Sequence, residues 1–244
     1  MPEKLKRVAL VTGGVQGLGE AAARALQNGG FAVAATHLSG GETAHAFGEK
    51  TGIPVFEWDV SDFDACRRGI VEVEEKLGPV DVLVNNAGVN RDTMLHKMSH
   101  EDWDAVLRVD LDSMFNMCRP VIVGMRERGY GRIINISSVN GQRGQAGQTN
   151  YCAAKAGILG FTRALARESA SKGITVNAIA PGYSDTPMVD AVPSEIMEGT
   201  LEKIPVGRLA EPEEIGRAVA FLASEKAGFI TGATLSLNGG LFMG

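Results

Sequence analysis

The chain has 244 residues, 44% of them hydrophobic and 22% charged, with a formal net charge of −5. That length suits one α/β domain over residues 1–244, and an acidic balance without a basic stripe argues against nucleic acid as a partner. No apolar run approaches the roughly 20 residues of a membrane span, nothing at the N-terminus reads as a signal peptide, and Cys66, Cys118 and Cys152 are too scattered for a disulfide framework, so a cytoplasmic protein is expected.

Arg7 to Thr12 is a short apolar run without alternation, as in a strand buried on both faces of a parallel sheet. It enters Gly13-Gly-Val-Gln16-Gly17-Leu18-Gly19, and Glu20 to Asn28 reads as a helix ending at Gly29-Gly30. Strand, glycine turn and helix form the context in which free backbone N–H groups can meet a dinucleotide pyrophosphate. The spacing here is T-G-x-x-x-G-x-G. A strand over Phe31–Thr36, a helix over Glu42–Thr51 and a strand over Pro54–Trp58 follow, the last closing on Asp59-Val60. Ser61 can cap a helix to Leu77, and the strand Val80–Val84 enters Asn85-Asn86-Ala87-Gly88. Ser99 can cap a helix continuing towards Arg128, with a possible kink at Pro120. Gly131–Ile136 is a strand leading to Ser138, and a helix from Tyr151 to about Ser171 follows. The strand Ile174–Ala180 runs into Pro181-Gly182, residues 183–211 form an irregular substrate lid, Pro212 opens a helix to Ala223, and Ala233–Leu237 is a last strand.

Seven strands alternating with helices specify an α/β fold, a Rossmann-type doubly wound parallel sheet with helices on both faces. Such sheets bind ligands outside the carboxyl ends of their strands. The glycine turn, Asp59, Asn86 to Gly88, Ser138 and Pro181-Gly182 all fall at that edge.

Tyr151 and Lys155 are four residues apart, on one helix face. A free tyrosine titrates at about 10, and a nearby ammonium in a partly dry site can lower that by roughly two units, towards the range of an effective general acid. Ser138 could donate a second hydrogen bond to the same substrate oxygen. With hydride supplied, this constellation reduces a carbonyl. The four histidines (37, 45, 96, 100) show no metal-ligand spacing, and no metal is expected.

With these residues assembled, TGGVQGLG (12–19), Asp59, NNAG (85–88), Ser138, Tyr151-x-x-x-Lys155 and PGYSDT (181–186), the chain resembles the short-chain dehydrogenase/reductase family over its whole length. The resemblance implies Tyr151 as general acid, Ser138 polarising the carbonyl, and Lys155 holding the nicotinamide ribose. It further implies Gly13, Gln16, Gly17, Leu18 and Gly19 around the cofactor, His37 near its ribose, Asp59-Val60 on the adenine, Asn86, Ala87 and Gly88 along it, Pro181 and Gly182 also against it, and Thr186 at the carboxamide. Residues 137–151 and 236–244 are similar to acetoacetyl-CoA reductases of polyhydroxybutyrate synthesis, with 3-oxoacyl-acyl-carrier-protein reductases next. That similarity implies acetoacetyl-CoA as substrate, Gln145, Gln148 and Tyr183 lining the acyl pocket, and a homotetramer built on the two long helices.

Three departures stand out. Ala146 stands where the reductases that the chain resembles carry an aromatic residue. Asp110 stands where the family places a catalytic asparagine; about 6 Å from Lys155 it would keep that lysine charged and oppose its pull on the Tyr151 proton. Thr36-His37-Leu38 ends the second strand without the acid that selects NAD, so NADP(H) is favoured and NAD(H) remains an alternative. A carrier-bound substrate, or a nucleotide-binding scaffold without turnover, are the competing readings.

Overall fold

The computed structural model describes residues 6–38, 41–186 and 199–244. Seven parallel strands form one sheet in the order β3-β2-β1-β4-β5-β6-β7. They are β1 (Val8–Val11), β2 (Ala32–His37), β3 (Val55–Glu57), β4 (Val80–Asn85), β5 (Gly131–Ile136), β6 (Ile174–Pro181) and β7 (Thr234–Leu237). The helices are α1 (Gly17–Asn28), α2 (Gly41–Thr51), α3 (Phe63–Leu77), α4 (His100–Val106), α5 (Ser113–Arg128), α6 (Asn140–Arg143), α7 (Thr149–Ser169) and α8 (Pro212–Ala223). No helix among the described residues is long and apolar enough to cross a membrane.

The central strand β1 is apolar throughout because both of its faces are covered. Ala9 and Val11 of β1 pack with Leu26 of α1, Phe47 of α2 and Val219 of α8. Val8 and Leu10, pointing the other way, pack with Ile70 of α3 and with Met117 and Val121 of α5. From β1 the chain first winds outward through β2 and β3, then crosses back to begin β4 on the other side of β1. The loops after β1 and β4 therefore diverge and leave a crevice at the carboxyl edge, where a doubly wound sheet takes its ligand.

Several local signals act as read, and three do not. Ser99 caps α4, its hydroxyl accepting from the Asp102 N–H, and Pro212 occupies the first turn of α8, preceded by a capping box of Glu211 and Glu214. At α3 the cap is Asp62 rather than Ser61: its carboxylate accepts from the Ala65 N–H, a charged acceptor at the positive end of the helix. Helix α1 starts at Gly17, three residues before the expected Glu20, because the glycine turn already supplies its first turn. The long helix after Ser99 is irregular at a π-helical turn, Leu107–Asp112, rather than at Pro120, which lies inside α5.

Candidate active site

The crevice begins with the glycine turn. Gly13 has φ +60, and a Cβ on Gly19 would lie 2.1 Å from the Gly13 carbonyl oxygen, so neither position admits a side chain. Gln16, the residue before α1, offers no side-chain cap, which leaves the first backbone N–H groups of a twelve-residue helix free at the crevice. Leu18 packs against the core and Gln16 is exposed.

Thr12 and Asn86 lace the two diverging loops together. The Thr12 hydroxyl accepts from the N–H groups of Asn86 (2.9 Å) and Ala87 (3.1 Å), and the Asn86 amide donates to the carbonyls of Thr12 (3.0 Å) and Gly13 (3.2 Å). Asn86 thus shapes the glycine turn as well as lining it. Gly88 must also lack a side chain, since a Cβ there would stand 2.9 Å from Asp110 Oδ2 and 3.3 Å from Lys155 Nζ. Next to the turn, the Thr186 side chain is 3.7 Å from where a Gly17 Cβ would sit, which brings the segment after β6 over the start of α1. Gly182 is pinned to β7 by its N–H to Leu237 O (2.8 Å), and the Pro181 carbonyl accepts from the Val139 N–H (2.8 Å).

Asp59 follows β3 and its Oδ1 is engaged by the Ser61 N–H at 2.8 Å; Val60 is buried, its carbonyl held by the Asn116 amide at 3.0 Å. His37 closes β2 in register with Glu57, and their side chains approach to 3.8 Å. That neighbouring carboxylate could not be found from the run Thr36-His37-Leu38, because it arrives from β3 through strand pairing.

The side chains expected to react gather between β5 and α7. Helix α7 is held to the sheet by the Ser137 hydroxyl donating to Lys155 O (2.8 Å) and by a buried amide relay, Asn85 to Asn135 (2.8 Å) and Asn135 to Thr162 (2.9 Å). Asn150 fixes its start: the side-chain amide donates to Arg91 O (3.0 Å) and Asp102 O (3.2 Å), and its oxygen takes the Tyr151 N–H (2.8 Å). Sequence reasoning passed over Asn150 because an asparagine before the tyrosine carries no motif of its own. The Ser138 oxygen accepts from the Asn140 N–H at 3.1 Å, which leaves its proton to donate. Lys155, 4% exposed, has its Nζ 5.3 Å from the Tyr151 ring centroid and donates to Ile136 O at 3.2 Å.

Asp110 differs from expectation in distance. Its Oδ2 lies 3.0 Å from Lys155 Nζ rather than about 6 Å, and its Oδ1 accepts from the Val89 N–H at 2.8 Å. Asp110 lies on the π-helical turn and is buried. Burial works to lower the Lys155 pKa, but Asp110 and Tyr151 outweigh it and hold the lysine above its ordinary value. The expected lowering of Tyr151 is overturned. Burial raises its pKa most, Asp110 and Asp92 add to that, and the opposing pulls of Lys155 and Ser138 do not compensate. The phenol therefore keeps its proton at neutral pH.

Around the mouth the expected substrate residues divide. Tyr183 is partly buried beside Pro181-Gly182, and Gln145 is exposed, accepting from Arg143 at 2.9 Å. Gln148 is buried with both ends of its amide engaged, donating to Asp92 (2.6 Å) and accepting from Asn140 (2.9 Å), so it braces the loop. The central part of the expected lid, 187–198, lies outside the described residues; the flanks pair at Ser184 and Ala210. Cys152 is partly exposed.

Residues 13–242 match the family described as Enoyl-(Acyl carrier protein) reductase. The chain is 57% identical over 239 residues to an acetoacetyl-CoA reductase of Shinella zoogloeoides, covering 98% of this chain and 99% of that one. It is 58% identical over 239 residues to an acetoacetyl-CoA reductase of Rhizobium meliloti, again over 98% and 99%. A 3-oxoacyl-[acyl-carrier-protein] reductase of Haemophilus influenzae is 43% identical over 240 residues, 97% of this chain and 98% of that one.

Proposed function

The chain belongs to the short-chain dehydrogenase/reductase family, and from that premise we propose that it reduces acetoacetyl-CoA to (R)-3-hydroxybutyryl-CoA for polyhydroxybutyrate synthesis. The observation that carries this reading is the convergence of Ser138, Tyr151 and Lys155 at the carboxyl edge of β5, in a chain 57–58% identical to two acetoacetyl-CoA reductases.

The residues present fit a nicotinamide dinucleotide. The side-chain-free turn at Gly13 and Gly19 and the uncapped start of α1 suit a pyrophosphate, with Gln16, Gly17 and Leu18 beside it and Asp59-Val60 at the adenine. Asn86, Ala87, Gly88, Pro181, Gly182 and Thr186 would line the path to the reacting end, and Lys155 would hold the ribose next to it. When bound, the nicotinamide supplies hydride to C3 of the 3-oxoacyl group.

The chain's own residues supply the rest. Tyr151, protonated at neutral pH, gives its proton to the oxygen that becomes the alcohol. Ser138, whose oxygen is already occupied by the Asn140 N–H, points its own proton at the same oxygen and stabilises the charge that develops there. Tyr183 and Gln145 flank the mouth through which the thioester arm would leave, and Ala146 leaves room beside it.

NADPH is the proposed cofactor, because no acid closes β2 itself. A cytoplasmic homotetramer built on the long helices that follow Asp110 and carry Tyr151 is proposed; Phe115 and Val123 of α5, 55% and 45% exposed, support association through that face. The deciding experiment follows cofactor oxidation with acetoacetyl-CoA and with the acetoacetyl carrier-protein thioester, each with NADPH and NADH. Faster turnover of the CoA thioester with NADPH supports the proposal. Preference for the carrier thioester assigns the enzyme to fatty-acid synthesis, and no turnover with any pair rejects both.

A further inference from the structure

Of the three departures, Asp110 is the one that brings a charge beside Lys155, and its surroundings show how it acts. It sits on the π-helical turn 107–112 between α4 and α5, fully buried. One oxygen is fixed by the Val89 N–H at 2.8 Å, the other faces Lys155 Nζ at 3.0 Å, and the absent side chain of Gly88 makes the space for that contact. An amide in the same place would keep the Val89 bond through its oxygen but would bring no charge to Lys155.

We propose that Asp110 is a positioning residue which, through its ion pair with Lys155, holds the proton on Tyr151 and so extends the site's working range for reduction to higher pH. This rests on the reductase reading above for its consequence, although not for its physics. The groups facing Tyr151 are Lys155 on its own helix, Asp110 on the π turn, Asp92 on the segment after β4, and the Ser138 hydroxyl after β5. Lys155 alone would draw the phenolic proton off. With Asp110 paired to it, the two side chains together carry no net charge, and the lysine still presents donors to a ribose. Reduction needs the protonated phenol, and the reverse oxidation needs the phenolate. A raised proton affinity therefore moves the alkaline fall of reduction and the rise of oxidation upward together, while the overall equilibrium is untouched.

The test is the ionisation of Tyr151 in the unliganded protein, read from the ultraviolet tyrosinate band with Tyr151→Phe as the blank. Asp110→Asn should shift that ionisation to lower pH by about one pH unit, as expected for removal of a like charge from a buried site. Asp110→Glu, which restores the charge, should move it back towards native. Superimposable titrations overturn the proposal. An upward shift overturns it too, by showing that Lys155 had lost its own proton with its partner. Should Asp110→Asn not fold, the native titration decides: a Tyr151 that ionises at or below the ordinary tyrosine value refutes the proposal without any variant. Because no substrate is used, this result stands apart from whether acetoacetyl-CoA is turned over. In the enzyme, the alkaline limb of kcat for reduction should move down with the same variant and recover with Asp110→Glu.

Discussion

The Asp110 carboxylate lies 3.0 Å from the Lys155 ammonium, and their side chains are 0% and 5% exposed. A pair this dry is costly to break from one side, because the surviving charge is left without a partner in the interior. Asp110→Ala should lower the free energy of unfolding by about 3 kcal/mol, measured by urea denaturation, and a loss below about 1 kcal/mol would mean that water reaches Lys155.

The same pair sets a pH dependence of stability. The Lys155 pKa is raised above its ordinary 10.5 in the folded chain, so its contribution is complete below that value and lost as the pH climbs through the higher folded one. Tyr151 is raised as well and acts in the same direction. Thermal unfolding temperatures should fall on the alkaline side, and that fall should shrink in Lys155→Met. An alkaline fall identical in the two proteins would place its cause elsewhere.

Tyr151→Phe removes one oxygen at the proposed point of proton transfer and leaves the glycine turn intact. Turnover should drop by about 10²- to 10⁴-fold, the range of a lost general acid, while cofactor affinity measured by fluorescence changes little. A parallel loss of cofactor binding would show that the phenol anchors the ribose instead.

Much of this site was legible because its parts are local. The glycine turn, Ser99, Pro212 and the Tyr151–Lys155 spacing each act within a few residues of themselves, and strand burial reads directly from apolar runs such as Val8–Val11. What escaped depends on contacts between distant segments. Glu57 reaches His37 only through the β2–β3 pairing, Gln148 is claimed by Asp92 from 56 residues earlier in the chain, and Asp110 comes to 3.0 Å from Lys155 only once a distant helix is packed beside it. The Tyr151 pKa was misjudged for a related reason: charge is visible in a sequence, whereas the depth of burial that opposes it is not.

Gly19→Ala should abolish cofactor binding. Its Cβ would stand 2.1 Å from the Gly13 carbonyl oxygen and 2.6 Å from the Asn86 amide, so the turn must open and the Asn86 lacing must give way. Calorimetric titration with NADPH should show no binding, with the unfolding temperature also lowered. Retained affinity would mean that the turn is not where the pyrophosphate lies.

The three thiols should separate cleanly. Burial pushes Cys66 and Cys118 up to about 12, so neither offers thiolate at neutral pH. Cys152 is raised less and is partly exposed beside Tyr151. One equivalent of a thiol reagent should react with the native protein and three after denaturation, and Cys152→Ser should remove the native equivalent. Reaction of two thiols in the folded chain would contradict the packing of α3 or α5.

Cofactor choice turns on a charge that the end of β2 does not carry. His37 has no acid beside it in sequence, yet Glu57 stands 3.8 Å from its ring with most of its side chain in water. A carboxylate so exposed repels a ribose phosphate only weakly, since water and salt screen it, and its removal should matter by about two- to three-fold. Glu57→Gln should therefore tighten NADPH by that factor and leave NADH unchanged, in equilibrium titrations at low ionic strength. The difference should fade as salt is added, because it arises from charge. An equal gain for both cofactors would show that Glu57 acts by shaping the His37 pocket, and no gain would place the 2′-phosphate away from the β2–β3 edge.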